Sequence, residues 1–149
     1  MAASWVVTGM GVVSAIGQGK QAFANALLDG KSAFGVMQRP GRQKDSAFLG
    51  AEIGSLVVPE SIPKQLLRTA SLSATAALTV VHEAWEEAHL GDVDPQRIGL
   101  IVGGSNIQQR ELTQVHEAYR DSPAFLRPTY ALSFMDSDYA RRFSVLNQG

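Results

Sequence analysis

The sequence contains no cysteine. A chain without cysteine cannot form a disulfide, supply a thiolate nucleophile or build a cysteine-ligated metal site. The sequence also lacks an apolar run near the roughly 18–20 residues that a membrane-spanning helix needs, and its N-terminus does not join a basic segment to a long apolar one. These absences predict a cytoplasmic protein with no membrane partner.

An excess of basic charge is missing as well. The 13 Lys and Arg residues against 14 Asp and Glu residues give a formal net charge of −1, and the basic residues are scattered along the chain. Nucleic-acid binding needs positive charge gathered on one surface, so we do not expect a nucleic-acid partner. Hydrophobic residues make up 45% of the 149 residues, which is ordinary for a globular protein and predicts one folded domain over residues 1–149.

Two short segments have the composition of buried strands. Residues 4–14 (SWVVTGMGVVS) and residues 97–104 (RIGLIVGG) are apolar on both faces, rich in β-branched residues and interrupted or ended by glycine. Continuous apolar runs of this length are typical of strands in a parallel sheet that is covered on both sides. We therefore predict two strands of one parallel sheet.

Helical periodicity occurs in four other places. Residues 20–29, 66–90 and 106–120 repeat apolar side chains every three or four positions, and Thr129 is placed to cap a further helix. The region 31–63 contains three prolines and several glycines and predicts a long excursion with one short strand. This order of elements predicts an α/β fold, and its two strands need sheet neighbours that the chain does not visibly supply.

Gly9 and Gly11 lie in the motif TGMGVVS (residues 8–14), which is similar to the start of a dinucleotide-binding turn. That turn requires a third glycine and an immediate helix, whereas Ser14 occupies the third position and apolar residues follow. The two glycines are better explained as positions that permit tight backbone packing or a bend.

Two further constellations are weak as functional signals. His82, Glu86 and His89 share one face of the predicted long helix, but their spacing differs from that of the zinc proteases, and a solvated or ion-paired helix end explains them better. Ser105 follows two glycines at a predicted strand-to-helix turn without forming the Gly-x-Ser-x-Gly motif, which disfavours a serine hydrolase.

Taken together, residues 6–17 (VVTGMGVVSAIG) resemble the opening strand of the β-ketoacyl synthases of fatty-acid and polyketide assembly. The order and spacing of the later segments fit the same family to about residue 138. The resemblance implies a thiolase-like fold, a parallel-rich sheet with covering helices, of which this chain is an incomplete N-terminal portion. Residues 139–149 fit the family poorly, so we expect a truncated or frameshifted chain that stops before the nucleophile turn.

The resemblance also implies a chemistry whose residues are missing here. The family uses a cysteine nucleophile and two basic residues, usually histidine, to act on acyl and malonyl thioesters of acyl carrier protein. The cysteine would be expected beyond Gly149, and none of the histidines lies in a suitable element. We therefore expect no catalytic residue and no cofactor in this chain, inactivity in isolation, and two partners: acyl carrier protein and a synthase subunit in a homo- or heterodimer.

The amino-acid sequences of residues 103–110 and 133–138 are similar to those of a specialised branch of the family in bacterial polyketide clusters. Members of that branch decarboxylate malonyl-carrier protein for β-branching and often lack the cysteine. The resemblance implies that six residues line the acyl pocket near the dimer interface: Gly104, Ser105, Asn106, Ile107, Phe134 and Met135.

Three interpretations of function remain open. The chain is the front part of a condensing or decarboxylating enzyme, a non-catalytic pairing subunit of a synthase heterodimer, or an unstable degenerate gene product. The second interpretation is motivated by the absence of the family's cysteine and basic catalytic residues from this chain. The third is motivated by two predicted apolar strands that have no visible sheet neighbours to cover them.

Overall fold

A computed structural model describes residues 4–39, 46–104, 108–128, 130 and 138–146. The chain divides into two compact units. The first unit consists of Met1–Glu60 and Ala76–Val93, and the second consists of Ser61–Thr75 and Asp94–Gly149. None of the helices within the described ranges is long and apolar enough to cross a membrane.

The helices follow the sequence periodicity closely. Within the described ranges they are α1 (Lys20–Leu28), α2 (Lys64–Leu67), α3 (Leu72–Ala88), α4 (Gln109–Ala118) and α5 (Asp138–Leu146), with one-turn 3₁₀ helices at Leu90–Asp92, Pro95–Arg97 and Pro123–Phe125. The helices predicted at 20–29 and 106–120 are confirmed. The helix predicted after Thr129 falls partly on residue 129 and residues 131–137, which lie outside the described residues.

The helix predicted over 66–90 is interrupted before Leu72. The hydroxyl oxygen of Ser71 accepts a hydrogen bond from the backbone N–H of Ala74 at 3.0 Å, as an N-cap does. The cap satisfies a donor at the start of α3, and α2 has already ended at Leu67. Apolar spacing alone did not reveal this break, because leucine and alanine continue the helical pattern across it.

Among the residues that the structure describes, strand pairing is limited to two short antiparallel ladders, both in the first unit. β1 (Val13–Ser14) pairs with β2 (Gly17–Gln18), and β3 (Phe34–Val36) pairs with β4 (Leu49–Ala51). The paired strands of the described residues include no parallel pair. The structure therefore shows a mixture of helices and small sheets, without the predicted parallel sheet.

The two segments predicted as buried strands are largely exposed instead. Of residues 4–14 only Val13–Ser14 is a strand, and Trp5 is 95% exposed. Residues 98–104 form neither helix nor strand, and Ile101 is 97% exposed. The prediction of burial is wrong for both segments in this structure, because a strand that is apolar on both faces is buried only when neighbouring strands and helices cover it.

A small core holds each unit together. In the first unit Ala26 of α1 and Leu78 of α3 are buried, and in the second unit Ile62, Leu66, Ala74 and Tyr139 are buried. Arg142 of α5 is also buried, with 3% of its surface exposed. Its guanidinium donates hydrogen bonds to the carbonyl oxygens of Leu66 and Thr69, the latter at 2.9 Å. This contact fixes α5 to the turn that follows α2.

Candidate functional site

The structure describes one of the six residues predicted to line an acyl pocket. Gly104 is exposed and lies in neither a helix nor a strand. Ser105, Asn106, Ile107, Phe134 and Met135 lie outside the described residues. The pocket predicted from the resemblance is therefore not assembled from described residues, and it stays a prediction.

A cavity of about 530 Å³ lies in the second unit. Its volume falls within the roughly 300–1,000 Å³ of pockets that hold small ligands. The lining comes from the turn before α3, from α4 and from the segment around residue 127, and Gly104 is not part of it. Its larger apolar and aromatic lining residues are Leu72, Leu112, Val115, Tyr119, Leu126 and Tyr130.

One face of α4 builds much of this cavity. Leu112, Val115 and Tyr119 follow one another at three and four positions and all line it. This spacing places them on one side of a helix; Gln114 also lines the cavity, whereas the exposed Glu117 does not. The sequence periodicity thus predicted the apolar face of α4, although it did not show that the face borders a cavity.

Glu111 contributes an unusual polar group to the lining. One of its carboxylate oxygens, Oε1, accepts a hydrogen bond from the backbone N–H of Leu72 at 3.2 Å, which satisfies a donor at the first turn of α3. The other oxygen, Oε2, is buried without a hydrogen-bond partner in the described part of the chain. Sequence reasoning missed this residue, because an acidic side chain in the first turn of a helix is commonplace.

A histidine and a tyrosine meet beside the cavity. Nε2 of His116 lies 3.0 Å from the hydroxyl oxygen of Tyr130, and the two rings are tilted by 42°. Tyr130 lines the cavity, whereas His116 is exposed at the end of α4. The cavity is thus lined by the apolar residues named above together with polar ones, among them Glu111, Arg127 and Tyr130.

His82, Glu86 and His89 do not form a metal site. In the ranges that the structure describes, no three histidine, aspartate or glutamate side chains come together in a way that could hold an ion. His89 adopts a left-handed backbone conformation, with φ of 50°, immediately after α3 ends. That conformation takes the chain out of the helical path that placed the three residues on one face.

A second polar arrangement lies in the first unit, where Glu83 and Glu87 of α3 form what we call the carboxylate clamp. Glu87 accepts a hydrogen bond from the backbone N–H of Met10 at 2.7 Å and pairs with the ammonium group of Lys20. Glu83 accepts from the backbone N–H groups of Val12 at 3.0 Å and Lys20 at 2.8 Å. The hydrogen bond from Lys20, followed by that from Met10, lowers the pKa of Glu87 below its usual value.

Comparison with known proteins assigns the chain to a family. Residues 4–145 match the family described as "Beta-ketoacyl synthase, N-terminal domain". The match covers almost the whole chain and begins at the segment from which the resemblance was first drawn. No solved structure matches the chain.

Three curated relatives belong to polyketide biosynthesis by name. The chain is 60% identical over 133 residues to the polyketide biosynthesis malonyl-ACP decarboxylase PksF of Bacillus subtilis. The aligned region covers 89% of this chain and 32% of that protein. It is 32% identical over 114 residues to the putative polyketide beta-ketoacyl synthase 2 of Streptomyces coelicolor, an alignment that covers 72% of this chain and 27% of that protein. It is also 32% identical over 95 residues to the actinorhodin polyketide putative beta-ketoacyl synthase 2 of that species, an alignment that covers 64% of this chain and 23% of that protein.

The chain therefore spans about a third or less of the length of these relatives. The resemblance drawn from residues 6–17 is confirmed by the family match and by the relatives' names. The chain belongs to the β-ketoacyl synthase family and corresponds to part of its N-terminal domain.

Proposed function

We propose that this chain is the N-terminal part of a protein that decarboxylates malonyl thioesters on acyl carrier protein during polyketide assembly. The observation that carries the proposal is the 60% identity to a malonyl-ACP decarboxylase, against 32% to two putative synthases. The identity extends over 89% of the chain, so it reflects the whole described fold and not one motif.

Decarboxylation of a malonyl thioester and condensation differ in the groups that they need. When malonyl thioester loses CO₂, the carbon–carbon bond breaks and its electron pair enters an enolate, which takes a proton to give the acetyl thioester. The developing enolate oxygen needs hydrogen-bond donors, and the step needs no covalent acyl-enzyme. Condensation, by contrast, proceeds through an acyl group held on a nucleophile.

The parallel sheet of a thiolase-like fold belongs to the same proposal. Residues 4–12 and 98–104 are apolar on both faces and largely exposed here, which is what unpaired inner strands would show. With the rest of the sheet present, these segments would pair and be covered. Residues 1–149 then form one N-terminal domain of a dimeric protein, and its acyl pocket is lined by six residues: Gly104, Ser105, Asn106, Ile107, Phe134 and Met135.

The test is an assay of the complete reading frame beside the 149-residue chain. Malonyl-ACP is incubated with each protein, and the mass of the carrier-protein arm is followed by mass spectrometry. We expect the full-length protein to convert malonyl-ACP to acetyl-ACP and the 149-residue chain to leave it unchanged. Transfer of an acyl group onto the full-length protein, with no acetyl-ACP formed, would overturn the proposal.

A second candidate function is a non-catalytic subunit that pairs with a complete synthase. The exposed apolar residues at Trp5, Val6, Val7 and Ile101 favour it, because such side chains need a partner surface to cover them. Co-purification of the 149-residue chain with a synthase encoded beside it would support this function. A monodisperse monomer in the presence of that synthase would count against it.

An unstable degenerate gene product is the remaining alternative, and the small core of each unit motivates it. An unstable chain would bind dyes that recognise exposed apolar surface and would lack a cooperative thermal transition. Cooperative unfolding without dye binding would exclude this alternative.

A further inference from the structure

We draw no further inference here: the strongest candidate, the cavity of about 530 Å³ that α4 and the turn before α3 line in the second unit, carries none, because the chain spans about a third or less of the length of its relatives and nothing in the structure shows what covers this cavity.

Discussion

The contact between the N-terminal segment and α3 depends on the absence of a Cβ atom at two glycines. The prediction that Gly9 and Gly11 permit close packing is confirmed, because a Cβ atom at either position would lie 2.1 Å from a helix carbonyl oxygen. No real Cβ contact is so short, so an alanine at either position must push the segment away from the helix. The dinucleotide-binding interpretation of the same glycines has no support, since the described chain continues after Ser14 into a short antiparallel turn.

Gly9→Ala and Gly11→Ala should each destabilise the chain by about 1–3 kcal/mol, the usual cost of overpacking a close contact. Gly54→Ala is the matched control, because a Cβ atom there would have no neighbour within 4 Å. At an unstrained site, alanine stabilises by roughly 0.4–1 kcal/mol through the unfolded chain. The two kinds of variant should therefore differ in sign in urea denaturation, and a shared sign would contradict the contact.

The carboxylate of Glu87 makes the same contact dependent on pH. Its pKa in the folded chain lies below its usual value of 4.5, since Lys20 and the N–H of Met10 both bond to the ionised form. A depressed folded-state pKa contributes stability above the unfolded-state pKa and loses it as pH falls through the folded-state pKa. The free energy of unfolding should therefore drop as pH falls below about 4.5, through the acid range.

Glu87→Gln should flatten part of that acid drop, because glutamine does not titrate. The measurement is the difference in unfolding free energy between wild type and variant from neutral pH to acid pH. Glu86→Gln is the control for removing a carboxylate from the same helix. A difference between wild type and Glu87→Gln that does not change with pH would contradict the assigned role of the ionised carboxylate.

At the scale of whole elements, the sequence predicted helices well and strands poorly. Helices α1, α3 and α4 follow from apolar residues at three and four positions, a pattern that the chain carries locally. The interruption before α3 was missed because it depends on the hydroxyl of Ser71 and on Glu111 from a distant helix. Residues 97–104 were predicted as a buried strand, but strand burial depends on partners that no local pattern can supply.

In the candidate site, too, the sequence predicted the features that depend on local spacing and missed those that depend on tertiary contacts. The apolar face of α4 that lines the cavity was evident from the spacing of Leu112, Val115 and Tyr119. The unpartnered oxygen of Glu111 and the contact of His116 with Tyr130 were not evident, since both depend on tertiary positions. The six lining residues taken from the resemblance stay untested, because only Gly104 among them is described.

The helix α5 offers the sharpest test at this scale. Arg142 donates to the carbonyl oxygens of Leu66 and Thr69 and to the hydroxyl of Thr69, so one side chain joins α5 to the turn after α2. Arg142→Met should reduce the free energy of unfolding by about 2–3 kcal/mol, because hydrogen bonds to a charged group are lost and the buried carbonyl of Leu66 loses a donor. Arg141→Met, at an exposed position of the same helix, should cost less in denaturant unfolding. Equal losses would contradict the anchoring role of Arg142.

For the molecule as a whole, the main physical feature is how little apolar surface is buried compared with how much is exposed. The buried apolar residues of the described chain are few and mostly small or medium in size, while Trp5, Val6, Phe34 and Ile101 are each more than three-quarters exposed. Apolar surface that stays in water contributes nothing to the stability of the fold, whereas each buried square ångström contributes about 25 cal/mol. The relatives are about three times as long as this chain, so their remaining residues offer a source of cover.

Hydrogen exchange tests that source of cover directly. In the 149-residue chain, the amides of residues 98–104 lie in neither helix nor strand, and we expect them to exchange as fast as those of an unfolded chain. In the full-length protein the same amides should be protected by at least about a hundredfold, because paired strands inside a covered sheet open only with much of the fold. The helix α3 is the internal control, since its amides should be protected in both proteins. Unprotected amides at residues 98–104 in the full-length protein would show that this segment is not an inner strand, and the proposed parallel sheet would have to be abandoned.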